Sequence, residues 1–440
     1  MYLLTNGRVL TMDEHNTVYA NGAVAWQDGI IRAVGGMREL SALYPKAQTL
    51  DAKGGLVLPG FIDMHCHSWL SLLKGYPFSR PPVDYPDLVR NFYWQGEKKL
   101  TPADIRQGAR STAIDCIRHG VTTIFDHHPC GSILGGVLDL LALEYLGAGI
   151  RFCLALEVSD RNGEAKARIA IRENGRFARL AKKNHTGRVQ AILGLGSSWD
   201  LSNATLLAAV EERGQDLGLH LHLRETREEQ AACLRYHGAS VGERLDKLGV
   251  FRQDTLAVGC SYLSEKELSL LKQKGVGVVH TPALNMEFAM PPAPVSSMLM
   301  QGITVGLGSN GLSQDMLALS QTAALLQHFV TQDPGVKGAA GLLFKGNPRL
   351  ANRYFPLPLG VLKPGAAADL VVCAETPLQP MGHGDVLEML RWGVTSGSVR
   401  HTIAAGKILM QDGELTGFDQ KEEAQESRAQ VQRFWRRLEM

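Results

Sequence analysis

The chain is poor in the features that would commit it to a special environment. Its 440 residues hold only seven cysteines, scattered and without a Cys-x-x-Cys spacing, which suits free thiols in a reducing compartment rather than a disulfide framework. Neither charge is in large excess. Lysine and arginine total 46 against 44 acidic residues, a formal +2, so bulk charge implies no polyanion and nucleic acid is not an expected partner. No run is long and apolar enough for a membrane span; the nearest, Gly131 to Ile150, is broken by Asp139 and Glu144. The opening Met1-Tyr2-Leu3-Leu4-Thr5-Asn6 has neither a charged n-region nor an apolar h-region, so a signal peptide is not expected. The 47 glycines follow no three-residue period, which excludes collagen. What remains, 45% hydrophobic and 20% charged residues, is the composition of a globular protein, with the cytoplasm as its expected location.

The two ends share a texture that the middle lacks. Leu3-Leu4, Val9–Met12 and Ala23–Trp26 read as short strands separated by the turn dipeptides Asn6-Gly7 and Asp28-Gly29. Near the other end, Asp369–Cys373 and Thr402–Ala404 read as strands, with Ala405-Gly406 and Asp412-Gly413 as turns. Residues 1–56 and 359–418 are therefore expected to pair into one small β domain. Residues 57–358 instead alternate strand-like and helix-like segments. Thr101, Pro102 and Asp104 mark one helix start, and Ser264 with Glu267 forms a capping box at another. Strand-like runs at Val121–Phe125, Val189–Leu195, Leu217–Leu223, Thr255–Val258, Val276–Val279 and Thr304–Leu307 complete the pattern. Repeated strand-then-helix units over some three hundred residues favour a parallel (β/α) barrel, whose chemistry sits at the carboxyl ends of its strands. Residues 419–440 read as an amphipathic surface helix.

Two stretches could carry chemistry. In Pro59-Gly60-Phe61-Ile62-Asp63-Met64-His65-Cys66-His67, the two histidines are two residues apart on an extended strand, so both imidazoles face one space. In Gly218-Leu219-His220-Leu221-His222-Leu223-Arg224-Glu225-Thr226, His220 and His222 again share a face and Glu225 lies just beyond the strand. Neutral imidazoles suit zinc or iron, and a metal that acidifies water beside a carboxylate that moves its proton is what hydrolysis requires. The rival readings are structural: a satisfied histidine pair, and a rim ion pair between Arg224 and Glu225.

With those motifs in place, the sequence resembles the amidohydrolase superfamily. The likeness is to the aminohydrolase and chlorohydrolase branch that holds guanine and 8-oxoguanine deaminases and the triazine hydrolases. Besides the two histidine stretches, it rests on Gly360-Val361-Leu362-Lys363-Pro364-Gly365-Ala366-Ala367-Ala368-Asp369-Leu370. A nearer likeness to the SsnA-type aminohydrolases rests on Asp126-His127-His128, on Glu157 to Gly163, on Arg172 to Arg179, and on Ser396-Gly397-Ser398-Val399. The resemblance implies an α/β fold, a distorted TIM (β/α)8 barrel with a small composite β-sandwich built from both termini. It implies a metal held by His65, His67 and His222, with Glu225 as proton carrier, and an aminohydrolase acting on a cyclic C–N bond of a small heterocyclic, purine-like substrate. Group precedent points His128 toward a substrate pocket, with packing or the rim as the rival reading; Glu157, Asp160 and Arg161 could bind a polar ring or tie down a loop; family precedent implies homodimers or larger assemblies. His280 ends a strand and could replace a missing imidazole.

Three positions depart from that pattern. Gly259 stands where relatives carry a sixth-strand histidine, and Asn310 where they carry an eighth-strand aspartate. Gly196 stands where relatives aim a histidine at the substrate. Asn310 offers a carbonyl oxygen but cannot take a proton near neutral pH. No lysine lies between Val189 and Gly196 to bridge two metals, so one divalent ion is expected, zinc first and iron as the alternative. Two readings follow: a mononuclear hydrolase in which Glu225 moves protons and Asn310 only orients, or a catalytically impaired barrel retained as a metal- or ligand-binding partner subunit.

Overall fold

The computed structural model describes residues 1–129, 131–336, 338–339, 341–374 and 386–439. Of the segments expected at the C-terminal end, 375–385 and Met440 lie outside the described residues. Eight parallel strand positions form the central sheet in sequence order: Phe61–Cys66, Val121–His128, Arg151–Val158, Val189–Ala191 continued by Leu193–Leu195, Leu219–Leu223, Thr255–Gly259, Gly277–His280 and Val305–Leu307. They are named below as the first to the eighth barrel strands. Their residues are almost entirely buried, as expected for parallel strands covered by helices on the outside.

Closure between the eighth and first strands is made by a side chain. Asn347 donates from Nδ2 to the carbonyls of Ile62 (2.6 Å) and Leu307 (3.1 Å), and its Oδ1 accepts from the Leu307 amide at 2.6 Å. Just above it, the Asn310 amide donates to the His65 carbonyl at 3.0 Å. The barrel is thus stapled shut directly beneath the expected site.

The terminal strands form a second sheet of nine. Its members run from Tyr2–Leu10, Val18–Gln27, Ile30–Gly36, Gln48–Asp51 and Leu56–Pro59 to Leu370–Cys373, Val399–Ala404, Lys407–Gln411 and Glu414–Leu415. The Asp28-Gly29 turn lies against the Ala405-Gly406 turn, and the Trp26 indole donates to the Gly406 carbonyl at 2.9 Å, so the sandwich is one sheet folded over on itself. Leu4, Val24, Ile31, Val57, Leu370 and Ile403 fill the space it encloses. Asn6-Gly7 is not a turn as the dipeptide suggested. Tyr2–Leu10 runs straight through it with a register shift and Asn6 at φ 53°, a β-bulge rather than a hairpin.

Arg151 ties the two sheets together. It is 1% exposed, and its Nε donates to Asp369 Oδ2 at 2.7 Å, joining the start of the third barrel strand to the C-terminal part of the folded sheet. The expected helix starts are present: Ser264 and Glu267 form the expected capping box of Glu265–Lys274, and Thr101, expected as an N-cap, forms a capping box with Asp104 that opens Pro102–Arg118. The C-terminal helix Gln420–Glu439 docks on the first of these. Phe434 is fully buried, and Gln430 and Arg437 both reach the buried Asp104. Among the described residues no helix is long and apolar enough to cross a membrane.

Candidate metal centre

The first and fifth barrel strands deliver their histidines to one point. His65, His67 and His222 offer ring nitrogens that lie within 4.8 Å of one another. Each ring has its Nδ1 engaged. His67 Nδ1 meets the His127 carbonyl at 2.6 Å, His222 Nδ1 meets Glu225 Oε1 at 3.1 Å, and His65 Nδ1 meets His220 Nε2 at 3.0 Å. Such partners fix ring orientation and leave Nε2 to face the common point. His65 Nε2 is buried with no hydrogen-bond partner, a donor atom that nothing in the protein satisfies. Three such nitrogens from two strands fit a single tetrahedral ion with an open position.

The surroundings keep most of these rings neutral. Burial holds His65 well below its ordinary value, helped by the neighbouring imidazoles, and lowers His67 to about 4, helped by His222. For His222 burial also opposes charge, but the adjacent Glu225 carboxylate outweighs it and the net direction is upward. His127 and His220 complete a cluster of five imidazoles with ring centroids 4.6 to 5.9 Å apart. Both are fully buried and pushed well below the ordinary histidine range, first by burial and then by their neighbours. They form a floor under the three candidate ligands.

Above this floor opens a cavity lined by His67, His222, Glu225 and Asn310 on the metal side. Glu225 Oε2 lies 3.4 Å from the Tyr85 hydroxyl, so the carboxylate bridges a candidate ligand and the loop that follows the first strand. Asn310 sits at φ 58°, with Oδ1 buried and unpartnered. On the far side Arg161 is held by Glu157 and by Glu97, the latter at 2.6 Å, with Asp200 at 3.5 Å. Burial pushes Glu97 and Asp200 up to about 7 despite the guanidinium that pulls both down. Trp94 and Trp199 stack at 5.9 Å, with Arg90 over one and Arg161 over the other.

A barrel of this topology, a folded terminal sheet and three histidines from its first and fifth strands point to one known family, and residues 56–409 match it: the amidohydrolase family. The chain belongs to the amidohydrolase family. It is 30% identical over 433 residues to a 5'-deoxyadenosine deaminase of Methanosarcina mazei, covering 97% of each chain. It is 28% identical over 424 residues to a 5-methylthioadenosine/S-adenosylhomocysteine deaminase of Pelotomaculum thermopropionicum, covering 95% of each. Among solved structures, an adenosine deaminase from Xanthomonas campestris with bound zinc superposes with a TM-score of 0.86 at 23% identity, covering 98% of each chain.

Within this amidohydrolase the other expected residues separate. Glu157 and Arg161 line the cavity. His128 does not: adjacent strand residues point to opposite faces, and it is His127 that joins the imidazole cluster. His280 is also absent from the lining; it is fully buried with both ring nitrogens unpartnered, and it makes no ring contact with the five clustered imidazoles.

The departures from the family pattern are built into the backbone. Gly259 has φ 86°, and a Cβ there would lie 2.5 Å from Glu225 Cγ. The space of a sixth-strand histidine is therefore taken by Glu225 itself. At Gly196 a Cβ would meet Asp200 Oδ1 at 3.0 Å and Glu157 Oε1 at 3.4 Å. Asn310 adopts a left-handed backbone that asparagine and aspartate both tolerate. Glu97, Asp200, Tyr85, Trp94 and Trp199 escaped sequence reasoning. Their one usable signal was position, in the loops after the first and fourth strands, where a barrel builds its site.

Proposed function

We propose that this protein is a metal-dependent aminohydrolase that removes an amino group from a purine-type ring. The carrying observation is the convergence of His65, His67 and His222, with the unpartnered His65 Nε2, beside the Glu225 carboxylate at the mouth of the cavity. Those three residues would hold one divalent cation, zinc or, second, iron. When bound, it would lower the pKa of a water molecule toward neutrality.

The chain's own groups supply the rest. Glu225 lies within reach of both the candidate centre and the cavity, so it can accept a proton from the attacking water and return it to the leaving nitrogen. Its hydrogen bonds to His222 and Tyr85 fix its orientation. Asn310 can accept a hydrogen bond through Oδ1 but takes no proton, which leaves Glu225 to carry the acid–base work. Trp94 and Trp199 add apolar area to the cavity lining, and Glu157 and Arg161 offer polar contacts to a ring bound there. The deaminases of adenosine derivatives that resemble this chain along its whole length favour the same substrate class. The buried free thiols among the described residues agree with a cytoplasmic setting.

The test is ammonia release from a panel of adenosine derivatives by metal-loaded protein, with turnover abolished by chelation and restored by metal. A second reading is favoured by Gly259 and Asn310: a barrel that binds metal and ligand without turning it over. About one metal per chain, ligand binding and no ammonia would establish that reading instead.

A further inference from the structure

The aminohydrolase mechanism leaves the buried carboxyl of Asp200 without a role. Asp200 ends the short turn Ser198–Asp200 after the fourth barrel strand, with its side chain only 8% exposed. Oδ2 accepts from the Ser159 hydroxyl at 2.7 Å and lies 3.5 Å from the Arg161 guanidinium. Oδ1 is buried and has no hydrogen-bond partner. An unpaired buried carboxylate oxygen is costly, and such groups in native proteins call for an explanation.

Gly196 supplies one. A methyl group there would lie 3.0 Å from Oδ1 and 3.3 Å from Oδ2, so any side chain at this position would crowd the carboxylate in the wall of the cavity that both residues line. The charge of the cavity has a matching sign. Five carboxylates line it against two guanidiniums, and Arg161 is already shared among three of those carboxylates.

We propose that Asp200 is a specificity-determining residue: the notch over Gly196 seats a hydrogen-bond-donating nitrogen of the substrate, an amino or amidinium group distinct from the amine that is hydrolysed. This inference rests on the aminohydrolase reading and narrows its substrate to planar nitrogen rings with two donor groups. A ring that turned a carbonyl oxygen toward the notch would set lone pairs against lone pairs and be rejected.

The test is equilibrium binding to the full-length protein of 2,6-diaminopurine, adenine and benzamidine, the last a planar amidinium with no hydrolysable ring amine. Wild type is expected to prefer 2,6-diaminopurine over adenine by about tenfold or more, the range of a hydrogen bond to a charged acceptor. Asp200→Asn should reduce that ratio to near unity and weaken benzamidine. Gly196→Ala keeps every charge and is compatible with the backbone there, which lies outside the left-handed region, yet it fills the notch and should have the same effect. An unchanged preference in both variants would overturn the proposal, as would failure of both donor-bearing probes to bind wild type. Absence of ammonia release with the Asp200-dependent preference intact would support the notch and count against the hydrolytic reading alone.

Discussion

Restoring the family's missing histidine at the sixth strand is expected to damage this protein rather than repair it. Gly259 lies at φ 86°, where an ordinary side chain costs roughly 1–2 kcal/mol in backbone strain. A Cβ would sit 2.5 Å from Glu225 Cγ and 2.8 Å from its Oε1, so the carboxylate must move, and overpacking of this kind costs about 1–3 kcal/mol more. The sum is about 2–5 kcal/mol, which for a chain of this length corresponds to a fall in Tm on the order of 2–5 °C. The displacement also breaks the 3.1 Å contact between Glu225 and His222, so activity should fall along with stability. The assay is a thermal melt of Gly259→His beside wild type, with ammonia release measured on the same samples. A variant that melts with wild type, or that gains activity, would refute the claim that Glu225 occupies the histidine's place.

Asn310→Asp should behave differently, since its left-handed backbone suits aspartate. It is expected to raise ammonia release by up to about 10²-fold by supplying a proton acceptor, and unchanged rates would show that the lost carboxylate was not limiting. Glu225→Gln should lower turnover by ~10²–10⁴-fold while metal content, read by elemental analysis, stays at the wild-type level. The affinity for 2,6-diaminopurine should rise with pH. Burial, then the carboxylates of Glu157 and Asp160, hold the Asp200 carboxyl at about 7 against the pull of Arg161 and Ser159, so the group is a protonated, weaker acceptor below that value. Titration calorimetry between about pH 6 and about pH 8 should show that rise in wild type and a smaller one in Asp200→Asn, where the Glu97 carboxyl, also held at about 7, still titrates.

The parts of the fold that follow from local chemistry were legible in the sequence. The helix starts at Thr101 and Ser264, the strand runs that lead into His67 and Glu225, and the hairpin at Asp28-Gly29 need only nearby residues to specify them. What escaped needed partners distant in sequence. The third strand begins at Arg151, a residue that reads as exposed until Asp369, 218 positions away, pairs with it in the interior. Asn6-Gly7 looks like a hairpin turn, and only pairing with two other strands holds it as a bulge. The candidate site divides the same way. Two-residue spacing placed His65 with His67 and His220 with His222, because strand geometry makes that a local fact. Choosing His127 over His128 required the register of the second strand, which no short pattern reveals. Glu97 and Asp200 carried no pattern at all, since a loop carboxylate acquires meaning only from the guanidinium it meets.

The most direct measurement of the central claim is metal content in the full-length protein and in single alanine variants of His65, His67 and His222, with melting temperature as a second readout. About one zinc or iron per wild-type chain is expected, lost or sharply reduced in each variant. Chelation should destabilise wild type by about 2.7 kcal/mol where free metal had stood at a hundred times its Kd, and should leave the variants unmoved. Wild-type protein that binds no metal, or variants that retain it undiminished, would contradict the account.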